Sequence, residues 1–158
     1  MKDKMKIKKW ANGQTLIEVL VALGIISIIV TALASVVVTS MNTAQLSKNQ
    51  NQALHYAQEG VEVLRQLRDQ DYVAFRDYNN TFCLDKESSV LGTDCTSPNI
   101  DNFFLRKVTI VQSGCSADVA SVAVSVLWTD GKCPAGNTFC RSSRLETCLS
   151  TVNQVPTL

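Results

Sequence analysis

Residues 13–38 read Gly-Gln-Thr-Leu-Ile-Glu-Val-Leu-Val-Ala-Leu-Gly-Ile-Ile-Ser-Ile-Ile-Val-Thr-Ala-Leu-Ala-Ser-Val-Val-Val. From Val19 to Val38 there are 20 residues and no charge. At about 1.5 Å per residue a helix of that length crosses the hydrocarbon core of a bilayer. One carboxylate, Glu18, stands at the start of the run. A carboxylate in such a helix costs about 2.5–3.5 kcal/mol at the bilayer centre. An opposite charge is the usual compensation, and the run itself supplies none.

Ahead of the run, residues 1–13 carry five lysines and one aspartate, a side-chain sum of +4. A short basic segment before an apolar helix stays in the cytoplasm, which predicts that the chain beyond Val38 lies outside. The segment Gly13-Gln14-Thr15-Leu16-Ile17-Glu18-Val19-Leu20 resembles the cleavage and methylation motif of type IV pilins and of the pseudopilins of type II secretion. The resemblance implies cleavage by prepilin peptidase between Gly13 and Gln14, N-methylation of Gln14, and an assembly role for Glu18 as the fifth residue of the mature chain. Gln14 stands where that family most often has phenylalanine. In the family the glutamate is thought to pair with the N-terminal amine of a neighbouring subunit. The implied partners are prepilin peptidase, other pilins or pseudopilins in a filament, the inner-membrane assembly machinery, and membrane lipid before assembly. Two other readings compete. Ala32-Leu33-Ala34 resembles a signal-peptidase site, although Glu18 would interrupt that apolar core and the core runs on to Val38. A signal-anchored surface domain unrelated to filaments fits the apolar run but gives Glu18 no reason.

Beyond the run, no proline occurs before Pro98, and Asn42–Asn51 is polar. Leu54, Ala57, Val61, Leu64 and Leu67 then recur at spacings of three and four, the mark of one helical face. Glu59, Glu62 and Arg65 fall opposite, and Arg65 stands four residues from Asp69, the spacing of a weak helical ion pair. Residues 14–68 thus read as one helix of about 80 Å, its outer half lying on a sheet. The chain divides into a leader (1–13), a membrane-spanning and assembly helix (14–38), an amphipathic continuation (39–71) and an extracytoplasmic domain (72–158).

That last segment of 87 residues holds all six cysteines: Cys83, Cys95, Cys115, Cys133, Cys140 and Cys148. An even number confined to an exported segment predicts disulfides in an oxidising compartment. Six cysteines allow fifteen pairings. Short loops favour Cys83–Cys95 and Cys133–Cys140, which leaves Cys115–Cys148. Zinc is disfavoured, because there is no CxxC pair and the single histidine, His55, lies on the long helix. Strand character marks Phe103–Gln112, Val119–Trp128 and Arg144–Val152, with Asp130-Gly131 as a turn and residues 132–141 as a cysteine-bearing insertion. Val122, Val124, Val126 and Trp128 share one face of the middle strand. The prediction is an α+β fold: a long N-terminal helix packed by its second half on a small antiparallel meander, stapled by disulfides. The sequence from Phe104-Leu105-Arg106 through Val124-Ser125-Val126-Leu127-Trp128-Thr129-Asp130-Gly131 to Arg144-Leu145-Glu146-Thr147 is also similar to the sheet of minor pilins and of the minor pseudopilin of similar shape.

Catalytic chemistry is hard to place. One histidine cannot serve a triad, no phosphate-binding glycine loop occurs, and no cofactor motif is seen. Without the leader's five lysines and one aspartate, the 15 basic and 14 acidic residues become 10 and 13, a net −3. That balance does not favour nucleic acid as a partner, Arg141 and Arg144 being the one local basic pair considered. The expected function is that of a structural subunit, not an enzyme, in the cytoplasmic membrane and then in a pilus or pseudopilus.

Overall fold

A computed structural model describes residues 14–150. The leader 1–13, with Gly13 at the expected cut, and the tail 151–158 lie outside the described residues. Helix α1 runs Gln14–Gln70 and α2 spans Tyr72–Phe75; the strands are β1 (Thr81–Leu84), β2 (Leu91–Gly92), β3 (Leu105–Ser116), β4 (Val119–Trp128) and β5 (Arg141–Ser150). The chain falls into two units that divide after Gln45.

In the first unit every residue of α1 from Leu16 to Gln45 is exposed, including the whole apolar run. Several of its hydroxyl groups bond back to the preceding turn. Ser27 Oγ donates to the Leu23 carbonyl at 2.7 Å, Thr31 to Ser27 at 3.0 Å, Thr39 to Ser35 at 2.9 Å, and Thr43 to Thr39 at 3.0 Å. A hydroxyl left unbonded in hydrocarbon costs several kcal/mol, so back-bonding to the preceding turn makes these residues compatible with lipid.

In the second unit α1 continues from Leu46 and packs on a five-stranded antiparallel sheet of order β2-β1-β3-β4-β5. The three long strands form the expected meander. β1 and β2 extend it on the far side of β3, a part of the sheet not anticipated because these strands have four and two residues. The first long strand begins at Leu105 rather than Phe103. Asp101 and Asn102 both adopt positive φ, and the Phe103 and Phe104 amides fold back onto the Ile100 carbonyl at 3.0 Å, so the two aromatics belong to a tight turn. β3 also runs past Gln112 to Ser116, through a register shift after Val111. Gly114 permits this bulge, since a Cβ there would stand 2.6 Å from the Ser121 Cβ. The last strand begins at Arg141, directly after the cysteine loop, and is described to Ser150.

Helix α1 buries Ala53, Ala57, Gly60, Val61 and Leu64 against Val108, Ile110, Val122, Val124 and Val126. The buried stripe differs by one position from the sequence reading. Leu54 is 40 % exposed, and Ala53 takes its place. Small residues on this face let the helix approach closely. A Cβ at Gly60 would lie 3.0 Å from Val124 Cγ1 and 3.3 Å from Arg106 Cδ. Arg65 pairs not with Asp69 but with Glu62 at 3.1 Å, while Asp69 takes Arg68 at 2.7 Å. The helix stops because Asp71 turns extended and caps α2, its carboxylate accepting from the Ala74 amide at 2.9 Å.

One charged side chain is buried among these residues. Arg106, on β3, has no exposed surface. Its Nε donates to the Leu84 carbonyl at 2.9 Å, one terminal nitrogen to the Tyr56 carbonyl at 3.0 Å and to Glu59 Oε1 at 3.1 Å, and the other to the Asp85 carbonyl at 2.6 Å. Asn99 completes the cluster, its Oδ1 accepting from the Arg106 amide at 2.8 Å. The guanidinium thus joins α1, the end of β1 and β3 at one point.

Removing Arg106 leaves the Leu84, Tyr56 and Asp85 carbonyls and Glu59 without their donor. Arg106→Met is expected to destabilise the folded unit by about 3–5 kcal/mol. Glu59→Gln is expected to cost much less, because Glu59 is 30 % exposed and the carbonyl partners remain. Urea unfolding of the detergent-solubilised chain, followed by near-ultraviolet circular dichroism, distinguishes the two.

Candidate functional site

Glu18 stands in the second turn of α1, exposed, and forms no ion pair among the described residues. The helix already begins at Gln14, so the backbone from Gln14 through Glu18 to the apolar run is one continuous helix. Gly13 precedes the described residues.

The six cysteines form three disulfides, Cys83–Cys95, Cys115–Cys148 and Cys133–Cys140, the set that short loops favour. Each holds a different part of the outer unit. Cys83–Cys95 ties β1 to the loop that follows β2. Cys115–Cys148 links the bulged end of β3 to β5 across β4. Cys133–Cys140 closes the loop between β4 and β5. Asp130 Oδ1 lies near both sulfurs of that last bridge, and these three side chains bring their ligand atoms within 4.8 Å of one another. The sulfurs are bonded to each other, so they offer no thiolate to a metal. Asp130 is held instead by the Lys132 amide at 2.9 Å and by Arg141 Nε at 2.8 Å, which together keep its carboxyl below the ordinary range. Arg144 likewise meets Glu146 at 3.2 Å. The basic pair Arg141 and Arg144 is therefore matched by two carboxylates.

A second polar cluster ties α1 to the loops beside β1. Asp101 accepts from the Tyr56 hydroxyl at 2.7 Å and from Lys86 Nζ at 2.9 Å. Hydrogen bonds from Lys86 and then Tyr56 hold the Asp101 carboxyl below its usual value, and the same bonds push Lys86 and Tyr56 upward. A polar recess of about 110 Å³ lies between α2 and the β3–β4 turn, lined by Tyr72, Arg76, Gln112, Ser113, Ala117 and Asp118. Its Ser113 hydroxyl is bound to the Ala117 carbonyl at 2.8 Å, and its Gln112 amide to the Phe75 and Tyr78 carbonyls. These are contacts that hold loops.

Comparison with known families gives a match at the other end of the chain. Residues 11–34 match the model described as the prokaryotic N-terminal methylation motif, the prepilin-type motif of type IV pilins and pseudopilins. No curated protein and no solved structure matches the chain. The motif supports a type IV pilin-like protein processed by prepilin peptidase, and the apolar helix is consistent with a single-pass membrane anchor.

Two outcomes follow for the outer unit. Replacing disulfide pairs by serine is expected to cost stability in the order of the loops closed, 33, 12 and 7 residues for Cys115–Cys148, Cys83–Cys95 and Cys133–Cys140. Chain entropy puts these losses at about 4, 3 and 2 kcal/mol, readable from chemical unfolding. The Asp101 cluster should be pH-bounded. Its carboxylate contributes stability above the unfolded value near pH ~4, lost as pH falls through the lower folded value. Tyr56 and Lys86 contribute below their unfolded values near pH ~10, lost as pH rises through their raised folded values. Hydrogen exchange of the amides at residues 99–104 should therefore speed up at both extremes, and Asp101→Asn should remove the acid limb.

Proposed function

We propose that the chain is a structural subunit, a minor pilin or pseudopilin, of a type IV pilus-like filament and not an enzyme. Prepilin peptidase removes residues 1–13, and the new Gln14 amine is methylated. Residues 14–38 hold the subunit in the cytoplasmic membrane until the inner-membrane assembly machinery moves it into the filament. Residues 39–71 carry the helix onto the sheet, and the domain 72–158 lies outside.

The observation that carries this reading is the prepilin-type motif at 11–34, in register with a helix that starts at Gln14 and presents Glu18 without a partner among the described residues. Physical chemistry gives that glutamate a task. Cleavage creates an amine four residues before it, one helical turn away. In lipid each charge is expensive alone. Between packed helices, breaking a buried pair costs about 3–5 kcal/mol, so a glutamate of one subunit meeting the amine of the next selects one stagger over its neighbours. Methylation of Gln14 has a second use here. A free N-terminal glutamine can cyclise and lose its positive charge, and we infer that methylation slows that attack and so preserves the cation that Glu18 needs.

The mass of the mature N-terminus tests the reading. Methylated Gln14 supports it; a start at Ser35 indicates an ordinary signal peptide, and a retained Met1 indicates a plain anchor. A pyroglutamyl end would remove the protective role of methylation. Glu18→Ala is expected to leave membrane insertion and cleavage intact while reducing recovery in sheared filaments by at least ~10-fold, the loss of one buried pair. Equal incorporation of the variant would refute the assembly role.

A further inference from the structure

We propose that Asn79 is an acceptor for N-linked glycosylation, with residues 77–81 as its recognition segment. The segment reads Asp77-Tyr78-Asn79-Asn80-Thr81. Of the ten asparagines in the chain, only Asn79 has a serine or threonine two residues on with no intervening proline. The hydroxyl at that position is the group an oligosaccharyltransferase reads beside the asparagine. In this proposal Asp77, the exposed acid two positions earlier, adds an anion that a cationic acceptor groove would hold.

The fold presents this segment well. It joins α2 to β1, and residues 77–80 form neither helix nor strand. Asp77, Asn79, Asn80 and Thr81 are all exposed. The Asn79 side chain is held only through its oxygen, which accepts from the Gln112 amide at 3.3 Å, and its Nδ2 has no hydrogen-bond partner among the described residues. The neighbouring Asn80 differs, since its Oδ1 caps the Thr81 amide at 2.8 Å. Thr81 opens β1, and its hydroxyl meets only the Thr109 hydroxyl at 3.0 Å, at the exposed end of the sheet. Asp77 forms no ion pair among the described residues. The acceptor and the hydroxyl themselves carry only those two side-chain contacts, while the backbone between them is tied to β3 by the Ile110 amide on the Asn80 carbonyl at 3.0 Å and by Gln112 Nε2 on the Tyr78 carbonyl at 2.8 Å, bonds that a transferase must loosen locally.

The donor is an oligosaccharide linked to a polyprenyl pyrophosphate. The amide nitrogen of Asn79 attacks C1 of the first sugar. The C1–oxygen bond to the pyrophosphate breaks as the C1–Nδ2 bond forms. The nitrogen gives up one proton, and the polyprenyl pyrophosphate leaves with the bonding pair. The inference rests on the reading that residues 72–158 lie outside the cytoplasm, where such transferases act.

The test uses the full chain, co-expressed in a membrane that holds a bacterial N-oligosaccharyltransferase and its lipid-linked oligosaccharide. Peptide mapping by mass spectrometry locates any glycan and records the state of the cysteines. The expected result is one glycan on Asn79 in a chain whose six cysteines are oxidised. It should be absent in Asn79→Gln, kept in Thr81→Ser, and at least tenfold less abundant in Thr81→Val and Asp77→Ala. An oxidised chain with bare Asn79, or a glycan that survives Asn79→Gln, overturns the proposal. Six free thiols would instead overturn the premise that the domain is exported.

Discussion

A guanidinium with no exposed surface sets the geometry of the outer unit. Arg106 is reached by carbonyls from α1, from the end of β1 and from the residue after it, and by the Glu59 carboxylate. Burying such a charge is unfavourable unless nearly every N–H is taken up, so its acceptors must arrive together. This fixes where α1 crosses the sheet. It also explains Gly60, whose missing side chain leaves room for the Arg106 stem and Val124 beneath the helix. The apolar core of Val108, Ile110, Val122, Val124 and Val126 supplies adhesion without much direction. The arginine adds the direction, because five rigidly forked donors accept only one arrangement of partners.

The two units answer to different solvents. From Leu16 to Gln45 the helix has no buried residue, and its apolar side chains need lipid or other helices around them. From Leu46 onward the chain has its own core, small enough to be assisted by covalent ties. The three disulfides are spread so that β1, the β3 and β5 strands on either side of β4, and the β4–β5 loop each receive one. None involves α1. The helix is held to the sheet by packing, by Arg106 and by the Tyr56–Asp101–Lys86 cluster, so its register on the sheet is set noncovalently.

What could be read from the sequence was what is local. The apolar run, the basic leader and the Gly13–Glu18 pattern lie within a few dozen consecutive residues, where both the membrane-length helix and the resemblance to the prepilin motif can be seen. The alternation of Val122, Val124, Val126 and Trp128 likewise marks a strand half-buried along its length, and all four are buried. What escaped depends on distant partners. Arg106 reads as one more charged residue in a strand; its burial follows only when Tyr56, Leu84 and Asp85 are brought to it. Leu54 fits a helical stripe as well as Ala53 does, and the sheet prefers the smaller residue because close approach is worth more there than side-chain area. The strands β1 and β2 are too short to announce themselves by periodicity. Asp101 and Asn102 turn the chain with positive φ although neither is glycine, which moved the start of β3 by two residues.

The hydroxyls of Ser27, Thr31, Thr39 and Thr43 spend their protons on carbonyls of the same helix. Such a rod asks nothing polar of its surroundings along these positions. It can exchange acyl chains for protein neighbours without remaking a hydrogen bond on the way. Its contacts with either environment then form and break a methyl group at a time, and the carboxylate at its foot is the group whose charge is costly in both.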